Sequence, residues 1–288
     1  MRPWLERLEA LGGPSHANLS QLAAQAGVRT ESGRSVRFVP PGPDARSYEL
    51  RVFESGRIET RPGSRHDLFN ALAWLAFPRT KARINAMHAA QIPLEGGRRG
   101  RLRDLLTLFD EGGAVVQCAD PALVDLVRGF RWKELFWAER ERVRRALRIV
   151  VLGHAVLEKA LEPWPGIACK AVFTAERDYD DAATQWLATL SSDATPQALA
   201  PLPIFGYPGW DPANGRAEYY DDTRYFRPFR RETPAARAVE CPSGVGQAAA
   251  VEAQRKVRAP QSGMQDNVLA RRRDEEGHRD ESLVKAKG

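Results

Sequence analysis

The stretch His66-Asp67-Leu68-Phe69-Asn70-Ala71-Leu72-Ala73-Trp74-Leu75-Ala76-Phe77-Pro78-Arg79-Thr80-Lys81 decides how this chain begins its core. Leu68, Leu72 and Leu75 recur at helical spacing, with Trp74 beside them, so the segment predicts a helix that buries one face. Ser64 can accept a hydrogen bond from the free backbone N–H groups of the first turn, and Asp67 three residues later completes a capping-box pattern. Phe77-Pro78 ends or kinks the helix, because proline has no N–H to donate and its ring clashes with the preceding turn. A second helix is expected from Thr80 to about Ala90.

Upstream, Leu5, Leu8 and Leu11 repeat at helical spacing before Gly12-Gly13-Pro14, and Leu19, Leu22 and Ala23 repeat before Gly27. One or two short helices over residues 4–27 follow from that pattern. Val36–Val39 and Tyr48–Phe53 then read as strands, with Glu54-Ser55-Gly56 as a turn and Arg57–Thr60 returning. The expectation is a small antiparallel hairpin.

Downstream, Leu105–Phe109 and Val115-Val116 read as a strand or short helix around a turn at Asp110-Glu111-Gly112-Gly113. Asp120-Pro121 starts a helix over Ala122–Phe130. From Trp132 to about Leu161 the pattern reads as one uninterrupted helix, which Glu162-Pro163-Trp164-Pro165-Gly166 stops. Ile167–Phe173 is a predicted strand and Asp178–Leu190 a predicted helix. Residues 199–230 are rich in proline, glycine and aromatics, and read as an extended arm laid on the core. After Arg231 the aromatics vanish and a disordered tail is expected. The expected organisation is therefore an N-terminal helical segment (1–30), one domain (31–230) and a tail (231–288). The fold class is α+β, predominantly helical, with a small antiparallel sheet or hairpin packed on a helical core.

The composition, 43% hydrophobic and 28% charged over 288 residues, excludes collagenous and wholly disordered classes. No apolar run is long enough for a membrane span, and the mixed charges at the N-terminus do not form a signal peptide, so a cytoplasmic location is expected. Three distant cysteines predict reduced thiols, two of them within apolar strand-like runs. The net charge of +6 is spread over a large body, and arginine dominance is weak evidence for a nucleic-acid or acidic protein partner.

The run Arg65–Lys81 resembles the hallmark of a proteobacterial family known only as a domain of unknown function. Further stretches resemble it in order: Arg103–Glu111, Trp132–Phe136, Gly153–Lys159 and the arm from Phe205 through Asp222. The resemblance spans roughly residues 30–230. It implies a shared core and brings no activity with it.

Residues four apart on a helix share a face, which pairs His66 with Asn70, Lys81 with Asn85, and His154 with Glu158. Imidazole and carboxylate ligands suit zinc, manganese or iron, and an open coordination position activates water. The sequence therefore nominates His66, Asn70, Lys81 and His88 as catalytic residues, and His154, Glu158 and Asp110 as ligands of a divalent metal. The function expected from that set is a metal-dependent hydrolase, with phosphoesters as one substrate class. Each member also has a structural explanation. Asp67 serves as a cap, Asn70 bonds a neighbouring backbone, His88 answers the helix dipole, and His154 with Glu158 forms a buried hydrogen-bonded pair. The competing function is a non-enzymatic binding or scaffold protein contacting nucleic acid or an acidic partner.

Overall fold

A computed structural model describes residues 1–164 and 166–229. The expected tail and Cys241 lie outside these residues. Helices α1 (Arg2–Ala10) and α2 (His16–Gln25) precede strand β1 (Arg37–Val39), helix α3 (Tyr48–Ser55) and strand β2 (Arg57–Glu59). Helices α4 (Arg65–Ala76), α5 (Pro78–Gln91) and α6 (Arg101–Gly112) follow, then β3 (Gly113–Cys118) and α7 (Pro121–Arg128). A π-helical turn at Glu134–Ala138 leads to α8 (Arg140–Ala146), β4 (Leu147–Val151), α9 (His154–Lys159), β5 (Ala168–Thr174), α10 (Tyr179–Ala188) and β6 (Ala200–Pro203). The fold is α+β and mostly helical. Among the described residues no helix is long and apolar enough to cross a membrane.

Two expectations about local structure are corrected. The first is the hairpin over residues 36–60. Tyr48–Ser55 is a helix, and β1 runs parallel to β2, with Phe38 opposite Ile58. The alternation in Tyr48-Glu49-Leu50-Arg51-Val52-Phe53 suits a strand, but Tyr48 and the fully buried Val52 also fall on one helical face. Gly56 then caps the helix at φ +69, where an added Cβ would meet the Ser35 carbonyl oxygen at 2.3 Å. A helical crossover permits the parallel return that a hairpin cannot make.

The second is the long helix from Trp132 to Leu161, which is cut in the middle by β4. Leu147 and Ile149 face one core cluster and Val150 another, a two-fold alternation that a strand satisfies and a helix does not. β4 pairs antiparallel with β3, β3 pairs parallel with β5, and β5 pairs antiparallel with β6, giving a mixed sheet in the order β4-β3-β5-β6. Lys170 sits on the interior strand β5, opposite Gly113 and Pro201.

The sheet is covered on both faces, which explains the continuous apolar runs of its central strands. Ala114, Val116, Cys169 and Ala171 pack toward α7 and the arm, where Tyr220 and Phe226 are buried. Val115 and Val172 pack toward Phe109 of α6 and Leu187 of α10. A separate cluster joins Leu8, Leu19 and Leu22 to Phe38, Ile58, Leu72 and Leu75, so α1 and α2 are built into the core that α4 begins. Cys118 and Cys169 are buried free thiols, and burial pushes Cys169 up to about 12, which rules it out as a nucleophile at neutral pH.

One contact aligns the sheet with the site. The carbonyl oxygen of Gly113 accepts from both Leu152 N (3.1 Å) and Gly153 N (2.9 Å). A Cβ at Gly153 would lie 2.5 Å from Gly113 N and 2.6 Å from Gly112 Cα. Backbone, not a flexible side chain, blocks that space. Gly153→Ala is expected to destabilise the fold by at least about 2 kcal/mol, by separating two packed backbones. Chemical denaturation of the purified variant checks this, and an unchanged midpoint would refute the close-approach account.

Candidate functional site

Six elements, β2 and helices α3, α4, α5, α6 and α9, converge on one cavity of about 380 Å³. The β3–β4 ladder does the central work. Asp110 and Glu111 end α6 just before β3, and His154 opens α9 just after β4. Because the strands are antiparallel, with Ala114 opposite Val151, these groups meet although more than forty residues separate them. Helix α4 supplies His66 and Asn70 from its first turns, where Ser64 caps the free N–H of Asp67. Asp67 does not reach back to complete the capping box. Its carboxylate instead accepts from Arg61 N at 2.7 Å and from the Arg61 guanidinium at 2.8 Å, which holds it down at about 2.

His154 is 3% exposed, and burial lowers it to about 4 against the opposing pull of Asp110, so the ring is neutral. Its Nδ1 lies 2.9 Å from the backbone carbonyl oxygen of Asp110, which can only accept, so Nδ1 carries the proton. The unshared pair is therefore on Nε2, 3.5 Å from Glu111 Oε2. His66 Nδ1 lies 3.2 Å from Glu158 Oε2, which orients that ring and leaves its Nε2 free. The two imidazoles meet nearly edge to face, with centroids 4.7 Å apart. One ligand atom from each of His66, Glu111 and His154 lies within 4.8 Å of the other two. Burial, then the neighbouring Asp110, raises the Glu111 carboxyl.

Beside this cluster lies a buried polar chain. Lys81, 4% exposed, donates from Nζ to Asn70 Oδ1 (2.8 Å) and Asp110 Oδ1 (2.5 Å). Asn70 donates on to Tyr48 Oη at 3.3 Å. Burial alone would raise the Asp110 carboxyl, but the charge and hydrogen bond of Lys81 oppose it, and the carboxyl lies below the usual carboxylate range. Burial also drives the Tyr48 hydroxyl far above its ordinary value, so it stays protonated.

The nominated residues are thus placed as follows. His66, Asn70, Lys81, Asp110 and His154 line the cavity, and Glu158 stands behind His66. Asp110 and Glu158, expected as metal ligands, are instead engaged with Lys81 and His66, and Glu111 takes the carboxylate place in the cluster. His154 and Glu158 were expected to pair with each other, but each bonds elsewhere. His88 does not line the cavity. It is 2% exposed and accepts from Arg103 Nε at 3.2 Å, while Arg103 also pairs with Glu95 at 2.9 Å. Arg103 is therefore engaged within the protein. Glu111 is visible in the sequence only as the neighbour of Asp110, and Tyr48 and Glu49 are not among the nominated residues. The Asp110-Glu111 doublet was the available signal for the first, and the misread strand hid the other two.

Two outcomes follow from this geometry. Lys81→Met leaves Asp110 as an uncompensated buried charge and is expected to cost roughly 3–5 kcal/mol. The double variant Lys81→Met/Asp110→Asn should recover much of that loss in denaturant titrations, and strict additivity would refute the coupling. Burial lowers His88 from 6.5 to about 4, so between those values the unfolded chain binds more protons. Its contribution is full above about pH 6.5 and is lost as pH falls toward 4, on the order of 2–3 kcal/mol. Stability measured against pH should become shallower in that window for His88→Gln, with His154 supplying the remaining slope, and an unaltered profile would contradict the buried neutral ring.

No curated protein matches the chain, and no solved structure does. The profile of one protein family matches residues 36–230, which is well over half of the sequence and contains every residue of the cavity. The chain therefore belongs to the family described as Protein of unknown function (DUF3025).

Proposed function

We propose that the chain is a divalent-metal-dependent hydrolase, with His66, His154 and Glu111 as the metal ligands. The observation that carries this reading is the approach of His154 Nε2 to Glu111 Oε2 at 3.5 Å. Both atoms present electron pairs, and a lone pair facing a carboxylate oxygen calls for a cation between them. A tetrahedral zinc centre with bonds near 2.0–2.2 Å has ligand-to-ligand edges of about 3.3 Å, close to that separation. Hydrogen bonds on Nδ1 of both imidazoles, one to a carboxylate and one to a backbone carbonyl, are the outer contacts that fix the tautomer of a ligating histidine. Two imidazoles and one carboxylate leave coordination positions open, which suits zinc, manganese or iron.

When bound, the cation polarises the substrate oxygen and makes water a stronger nucleophile at neutral pH. The remaining chemistry belongs to the side chains. Tyr48 Oη accepts from Asn70, so its own proton is free to donate to charge developing on the substrate. Lys81 keeps Asp110 ionised and fixes Asn70. Asp110 positions the His154 ring through its backbone carbonyl. We place the activity in the cytoplasm.

Calorimetric titration of the metal-stripped full chain with Zn²⁺ and Mn²⁺ tests the reading. One ion per chain is expected. His154→Ala and Glu111→Ala should each weaken binding by about a hundredfold, and Glu158→Gln by about tenfold through loss of His66 orientation. Stoichiometric binding that survives His154→Ala would place the metal elsewhere. No binding at all would favour the scaffold function and a protonated Glu111 bonded to His154.

A further inference from the structure

The charge balance of the cavity says what kind of substrate it accepts. Five carboxylates line it (Glu49, Glu59, Asp67, Asp110 and Glu111) against two cations, Arg61 and Lys81. Three of the five are neutralised within the protein, Glu59 by Arg51 at 2.8 Å, Asp67 by Arg61 at 2.8 Å and Asp110 by Lys81 at 2.5 Å. Glu111 belongs to the proposed metal centre. Glu49 is left without a salt bridge among the described residues, and its carboxylate contact is the side-chain amide of Asn85 at 2.7 Å.

Asn85 adds a second, independent observation. Its Nδ2 donates to both the backbone oxygen of Glu49 (2.9 Å) and the Glu49 carboxylate, two groups that can only accept from it, so the amide orientation is fixed. The carbonyl oxygen Oδ1 must then be an acceptor. It has no donor among the described residues, although Asn85 is 2% exposed. An acceptor in that position is a cost the fold carries until something donates to it. Lys81, which also lines the cavity, is committed to Asn70 and Asp110.

We propose that Glu49 and Asn85 form a subsite for a primary ammonium group of the substrate. Hydrolysis then falls on an amide or ester bond of an amine-bearing compound rather than on a phosphoester. The inference rests on the metal-dependent hydrolase reading for its reaction, though not for its binding site. An ammonium group carries one positive charge and three donors with no acceptor, matching an unpaired carboxylate and an orphaned carbonyl oxygen. A phosphate group brings negative charge and acceptors only, and meets repulsion at the same wall. Asn85 lies one helical turn from Lys81, whose partner Asp110 adjoins Glu111, and the ammonium subsite and the proposed centre line the same cavity. The reaction balances as addition of water. The acyl carbon gains the hydroxyl, the bond to nitrogen or oxygen breaks, and the leaving atom takes the proton.

Calorimetric titration of the full chain with n-butylammonium chloride and, separately, inorganic phosphate decides the matter. Both are titrated into metal-stripped protein, where phosphate cannot gain affinity from the metal. Butylammonium should bind at least about tenfold tighter than phosphate. Glu49→Gln, which keeps the size of the side chain, should weaken butylammonium by at least about tenfold while changing zinc affinity less than about twofold. Should that variant fold poorly, Asn85→Leu is the second test, with the same loss expected. Phosphate binding as tight as butylammonium, absence of butylammonium binding, or binding that survives both substitutions would overturn the subsite. Zinc binding without ammonium binding refutes this inference and leaves the metal centre standing. Ammonium binding without zinc binding removes the hydrolase reading and leaves an amine-binding protein.

Discussion

The carbonyl oxygen of Gly113 receives two backbone N–H groups, from Leu152 and Gly153, and everything at the cavity depends on that contact. It holds the end of β4 against the start of β3, and so fixes the approach of α9 to the last turn of α6. The two backbones can come that close only because a glycine stands at 153, where a Cβ would meet Gly112 and Gly113 backbone atoms. Glu111 and His154 face each other because their backbones are clamped a few residues away, not because their side chains attract. Their 3.5 Å approach is set by the scaffold.

Around this clamp the protein manages an unusual density of charge. Each carboxylate reaching the cavity has an assigned counterpart within the chain, except Glu49 and Glu111. Burying ionised groups is costly unless they are paired and hydrogen-bonded, and the chain Tyr48–Asn70–Lys81–Asp110 shows how thoroughly the rest of the site observes that rule. The two exceptions lie where a ligand would supply the missing charge, a metal ion at one and an ammonium at the other.

The helices of the family hallmark were legible because their physics is local. Ser64 caps α4, Pro78 opens α5, and Leu72 and Leu75 face the core, each set by neighbours within a turn or two. The strand β4 and the helix α3 were not legible for the complementary reason. Leu147-Arg148-Ile149-Val150-Val151 continues a helical pattern on one side, and its strand state is decided by Ala114–Cys118, a distant partner. Tyr48–Phe53 alternates like a strand but becomes a helix, because the parallel pairing of β1 with β2 requires a crossover between them. Period alone cannot arbitrate such short segments.

For the site, the sequence by itself determined which side chains carry usable chemistry and which helical faces they occupy. His66 and Asn70 share the first turns of α4, and Lys81 with Asn85 share a face of α5. Only the tertiary structure decided their roles. It turned Glu158 onto His66, spent Asp110 on Lys81, sent His88 to Arg103, and brought Glu111 to His154. The reason is that a ligand's role is fixed by distances of a few ångströms between groups tens of residues apart, and those distances are set by strand register and backbone contact. Helical spacing reports neighbours four residues away, whereas the partner that matters to His154 came from the facing strand, at the same end of an antiparallel ladder.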